Sequence, residues 1–142
     1  MQKLFLIPSI IIGIILSSGA NLLACNSKSI NLENSSWILK NWDNQGFIVE
    51  PKSKIYLTFK NNQINGFGGC NNFSGTYKLV DNKLLIKSFS ATRIACNPLI
   101  MNQESQLFSA LQSLSRVNFN TSGSLLLYTN TSVFYFNSNK IN

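Results

Sequence analysis

The sequence predicts a mainly β fold of α+β content: a small antiparallel, barrel-like sheet carrying one packing helix. Three observations lead there. Short alternations of apolar and polar residues recur over residues 35–137 with turn residues between them, the pattern of a sandwich or barrel. Residues 66–77 concentrate glycine, asparagine, cysteine and aromatic side chains more densely than any other stretch. After Asn97-Pro98, and nowhere else in the domain, apolar residues switch to helical spacing.

The elements follow in order. Trp37, Ile38, Leu39 and Lys40 open the first strand, and residues 43–46 form a turn. Phe47, Ile48 and Val49 make a short edge strand stopped by Glu50-Pro51. Ile55, Leu57 and Phe59 share one face of the next strand. Asn61-Asn62 turns it into a returning strand over residues 63–67. The glycine corner follows. There Gly66, Gly68 and Gly69 permit a tight bend or close backbone approach, and Asn71-Asn72 tolerates left-handed geometry. Residues 74–79 are a strand in which Gly75 marks a bulge or a close approach. Asp81-Asn82 turns the chain, residues 84–86 continue the meander, and residues 89–94 form a separate strand.

Asn97 is a capping residue and Pro98 suits a first helical turn. Ile100, Leu107, Phe108, Leu111 and Leu114 then recur on one helical face, which packs on the sheet. Strands resume at residues 117–119, 124–128 and 133–136, with turns at 121–123 and Asn130-Thr131. Residues 138–142 are a C-terminal tail.

Ahead of the domain, Lys3 and the apolar run from Leu4 to Leu16 read as a secretory signal over residues 1–24. Residues 25–34 read as a polar tether. Leu22-Leu23-Ala24-Cys25 resembles the lipobox of bacterial lipoproteins, with an aliphatic residue three before the cysteine and a small one directly before it. That resemblance implies cleavage before Cys25, lipidation of its thiol and attachment to a membrane. Asn26 in place of Asp favours the periplasmic face of an outer membrane. The alternative is an uncleaved anchor, since the uncharged run is long enough to span a bilayer.

If Cys25 is acylated, Cys70 and Cys96 remain as a pair in an exported, oxidising compartment. Spacing by itself does not establish their bond. Two cysteines without histidine do not fill a zinc shell, so no metal site is expected. No cofactor motif occurs.

Composition narrows the function further. Charged residues make up 12% of the 142-residue chain, about half the usual share. The net charge of +7 is scattered over lysines near turns and strand edges, without a basic run. Such lysines discourage sheet-to-sheet pairing, and no nucleic-acid partner is expected. With no histidine, the usual general base is missing. The five acidic residues offer no pair spaced for acid/base work, and no serine sits in a nucleophile elbow.

The stretch Ile64-Asn65-Gly66-Phe67-Gly68-Gly69-Cys70-Asn71-Asn72-Phe73-Ser74-Gly75-Thr76-Tyr77 resembles the signature of the META domain family, which includes heat-inducible HslJ-like proteins. Thr92-Arg93-Ile94-Ala95-Cys96, Gln103-Glu104 and the closing strands around residues 125–136 agree with it. The resemblance covers nearly all of residues 35–137. It implies a barrel-like fold with one helix, an exported or lipid-anchored protein, and a role in stress, envelope integrity or antibiotic tolerance. No catalytic activity is generally assigned to the family. Gly66, Gly68, Gly69, Asn71, Gly75, Thr92, Arg93 and Glu104 are therefore structural expectations.

Three functions stay open. One is a non-catalytic envelope module with an unidentified protein or ligand partner. A second is a barrel holding a small apolar ligand, or inhibiting a secreted enzyme. The third is an enzyme, for which Arg93 and Glu104 are the only arrangement to name. Their simpler role is a charge pair that holds the helix to the sheet near Cys96.

Overall fold

The computed structural model describes residues 29–140. Its elements are β1 (Ser35–Asn44), β2 (Phe47–Val49), β3 (Tyr56–Lys60), β4 (Gln63–Phe67), β5 (Asn72–Val80), β6 (Lys83–Ala91), α1 (Pro98–Gln112), β7 (Arg116–Phe119), β8 (Leu125–Tyr128) and β9 (Ser132–Ser138). The signal segment and Cys25 lie outside the described residues.

All strand pairs are antiparallel, in the order β6-β5-β4-β3-β1-β9-β8-β7, with β2 pairing β1 off that path. The sheet curls until its two edge strands come close, and Val117 N–H donates to Asn82 C=O across the gap at 2.8 Å. No ladder joins β6 to β7, so the result is an open half-barrel. Helix α1 connects these same two edge strands in sequence and sends Leu107, Ala110 and Leu111 into the core. Trp42, Phe59, Leu57, Ile64, Leu125 and Phe136 are buried there from the sheet. These side chains from the sheet and the helix form one hydrophobic cluster inside the curled sheet.

Local chemistry accounts for the turns. Asn61 and Asn62 have φ of 54° and 59°, and Asp81 and Asn82 have 49° and 61°. Two consecutive left-handed residues match the right-handed twist of flanking strands, and Asn and Asp tolerate that geometry. Asn97 caps α1 by accepting from Leu99 N–H at 2.9 Å.

Three expectations need correction. The first strand does not stop at Lys40. An irregularity between Leu39 and Asn41 inserts Lys40, so Trp42 still faces the core and β1 runs on to Asn44. Such an extra residue shifts the in/out alternation by one. Residues 84–86 and 89–94 are not separate strands; β6 is continuous to Ala91. Ser88, with φ of 51°, absorbs the extra residue opposite Gly75. A Cβ on Gly75 would lie 3.0 Å from Lys87 O, so this glycine serves close approach. Finally, residues 29–34 do not hang free as a tether. Leu32 is 1% exposed in the core, and Ile30 packs against it.

Candidate functional site

The glycine corner is where three segments of the chain meet. Gly66 lies on β4 beside β3, and a Cβ there would collide with Tyr56 O and fall 2.7 Å from Phe73 Cζ. Gly68 lies against α1: its Cβ would meet Phe108 Cε1 at 2.6 Å and Glu104 Oε2 at 2.8 Å. Gly69 takes φ of +112°, open to glycine and strained for other residues. A tight turn closes with Gly68 N–H donating to Asn71 C=O at 2.8 Å.

That turn aims two main-chain donors at one point. Cys70 N–H and Asn71 N–H both donate to Glu104 Oε2, at 3.0 and 2.5 Å. Adjacent amides of this kind form a concavity suited to an anion. Here the chain's own Glu104, on the first half of α1 and 5% exposed, fills it.

Asn71, also 5% exposed, completes the joint. Its Nδ2 donates to Glu104 Oε1 at 2.7 Å and to Ile94 C=O at 3.2 Å. Its Oδ1 accepts from Thr92 Oγ1 at 2.9 Å and from Ile94 N–H at 2.6 Å. An amide side chain offers two donors and two acceptor sites, and all four are used. Thr92 Oγ1 also accepts from Asn72 N–H at 3.1 Å. β6 ends at Ala91, Thr92 N–H still donates to Asn72 C=O at 3.0 Å, and by taking both backbone groups of Ile94, Asn71 holds the following segment against the glycine corner. The Cys70–Cys96 disulfide locks the same crossing. Among the described residues no buried side-chain nitrogen or oxygen lacks a partner.

The expected Arg93–Glu104 pair does not form. Glu104 turns inward to the amides, while Arg93 is exposed and makes no hydrogen bond or ion pair among the described residues. Sequence reasoning placed the two together in one feature because both flank Cys96. It missed that a carboxylate facing a glycine turn has main-chain donors available at no cost in charge.

A second carboxylate network was also missed. Glu33, assigned to the tether, accepts from Asn61 N–H at 2.5 Å and from Tyr77 Oη at 2.7 Å. The Tyr77 hydroxyl and the Asn61 amide hold the Glu33 carboxyl below the usual carboxylate range. Burial, aided by Glu33, pushes the Tyr77 phenol up to about 12.

Outside the joint, a cleft of about 610 Å³ opens between residues 89–95 and α1. Its walls include Phe89, Ile94, Met101 and Phe108, with Arg93 on its lining. Phe73, Phe89 and Phe108 form a ring cluster with centroids 5.2 to 5.5 Å apart. Nothing in this arrangement supplies a nucleophile with a base beside it. Asn71, Thr92 and Glu104 are engaged in holding segments together, and the cleft's lining mixes the apolar Phe89, Ile94, Met101 and Phe108 with Ser90, Thr92 and the Arg93 cation.

Comparison with known proteins places this geometry. The family model described as META domain matches residues 30–140. Among solved structures, the chain is similar to a protein from Burkholderia xenovorans determined by NMR. The two share 25% identity over 77% of this chain and 84% of that one, with a TM-score of 0.68. A second NMR structure shares 25% identity over 74% of this chain and 89% of the other, with a TM-score of 0.59. The crystal structure of a duf4847 family protein from Bacteroides vulgatus has the same fold at 16% identity, covering 78% and 96% of the two chains with a TM-score of 0.56. A comparison with curated proteins gave no match.

Proposed function

The chain belongs to the META domain family, and from that premise we propose that it is a non-catalytic, lipid-anchored protein of the bacterial cell envelope. Its work is in stress response, envelope integrity or antibiotic tolerance, through contacts with an envelope component. The observation that carries the non-catalytic reading is the engagement of Glu104. Both its oxygens are taken by donors of the same chain, so the one carboxylate buried among the described residues has structural work. A general acid or base must instead reach the proton that it moves.

The anchor rests on Leu22-Leu23-Ala24-Cys25. Two acyl chains hold a protein on a bilayer where one gives only marginal binding. Expression of Cys25→Ser tests it. The variant should leave the membrane fraction or accumulate as an unprocessed precursor. A Cys25→Ser protein of unchanged size that stays with the membrane would establish the uncleaved anchor instead.

A further inference from the structure

We propose that the cleft between the end of β6 and α1 binds a single-chain amphiphile with an anionic head, of the fatty-acid class. Arg93 meets the head, and Phe89, Ile94, Met101 and Phe108 receive the tail.

The lining is the first argument. Ile94 is 58% exposed and Met101 42% exposed, although both are large apolar residues on a domain with a filled core. Both line the cleft together with Phe89 and Phe108, which are themselves only half-buried. The cleft's volume, about 610 Å³, falls within the range of small-molecule sites. Met adapts its shape to a flexible chain better than a branched residue does.

Charge selects the head. Arg93 and Glu104 are the charged residues on the lining. Glu104 has its oxygens committed to Cys70 N–H, Asn71 N–H and Asn71 Nδ2. Arg93 is exposed and uncommitted among the described residues. A guanidinium pairs with a carboxylate in two parallel hydrogen bonds. The exposed hairpin pair Phe47 and Ile48 offers no such complement, since Asp43 lies opposite Ile48 and Glu50 follows β2.

The wall is also held in advance. Asn71 fixes the N–H and C=O of Ile94, and the disulfide fixes Cys96 two residues on. The cleft therefore does not need to be ordered by the ligand, which lowers the cost of binding. The family-signature residues Asn71 and Glu104 thus stand on the lining of the same cleft whose wall they hold.

The test uses the full-length protein in vesicles and a palmitic acid carrying a photoreactive diazirine on its chain, with crosslinks mapped by peptide mass spectrometry. Crosslinks should concentrate in residues 89–95 and 101–108. Excess palmitate should compete, and hexadecanol, which lacks the charge, should compete roughly tenfold less well, as expected for one lost charge-assisted contact. Arg93→Glu and Met101→Asp change exposed side chains and should keep the melting temperature while cutting labelling roughly tenfold. Labelling scattered over the surface overturns the proposal. So does equal competition by hexadecanol, or labelling that Arg93→Glu leaves unchanged. The crosslink map is independent of Cys25 processing, so the anchor and the cleft stand or fall separately.

Discussion

Glu104 holds Asn71 by both its main chain and its side chain: Oε2 lies 2.5 Å from the Asn71 amide nitrogen and Oε1 lies 2.7 Å from Nδ2. The two residues are 33 positions apart. One carboxylate thereby ties α1 to the glycine corner, and through Asn71 to residues 92–94. Buried polar networks with every member satisfied specify one arrangement, while a half-satisfied one is costly.

Removing the carboxylate should expose that cost. Glu104→Ala leaves three donors unmet, and each charge-assisted bond contributes about 1.5–3 kcal/mol. We expect a loss of about 3 kcal/mol or more in urea unfolding. Glu104→Gln should recover only part, because its NH₂ must face a donor at one of the two positions. A loss below about 0.5 kcal/mol for Glu104→Ala would show that the network contributes little.

The disulfide closes a loop of 26 residues. On the chain-entropy model that stabilises by about 3–4 kcal/mol. Cys70→Ala/Cys96→Ala should lower stability by about that amount, as should reductant added to the wild type. Intact mass should rise by two hydrogens on reduction. An unchanged mass would mean that the thiols are free.

Gly66 faces the tightest approach in the corner. A methyl group there collides with the backbone oxygen of Tyr56, which cannot move without disturbing the β3–β4 ladder. Gly66→Ala should cost about 3 kcal/mol, the upper part of the overpacking range. Gly123, with φ of +81° and nothing within 4 Å, is a contrast. Gly123→Asn should cost less than about 1 kcal/mol, since Asn tolerates left-handed backbone. Equal effects at the two sites in chemical denaturation would contradict this account.

Stability should fall at both ends of the pH scale through Glu33 and Tyr77. Glu33 has a lowered folded pKa, first through Tyr77 and then through Asn61. Its contribution is whole above its ordinary value of 4.5 and is lost as pH falls through the folded value. Tyr77 is raised from 10.0 to about 12. Its contribution is whole below pH 10 and is lost as pH rises through about 12. In a comparison of denaturation midpoints across pH, Tyr77→Phe should weaken the acid-side decline and remove this alkaline one. A Tyr77→Phe profile parallel to that of the wild type would rule out the coupling.

Much of the architecture was legible because its signals are local. Asn61-Asn62 and Asp81-Asn82 declared their turns through the residues that tolerate left-handed backbone. Asn97-Pro98 declared the start of α1. The alternation of Ile55, Leu57 and Phe59 declared a face. Lys40 and Ser88 were not legible, because a bulge is chosen by the pairing of two distant strands. Glu33 was misread for a similar reason. Its partners, Asn61 and Tyr77, come to it only once β3, β4 and β5 are stacked beside β1.

By itself the sequence determined the mainly β, barrel-like class, the one helix of the domain, its family, and the pair of cysteines left over if Cys25 is acylated. Those follow from periodicity, turn chemistry and a dense motif, each contained within a few neighbouring residues. Only the tertiary structure decided what the motif is for. Arg93 and Glu104 are equally polar on paper, yet one is buried against main-chain amides and the other is exposed beside an apolar cleft. The difference arises because the Gly68–Asn71 turn supplies hydrogen-bond donors to whichever acceptor packs against it, and the side chain of a neighbouring helix reaches it first.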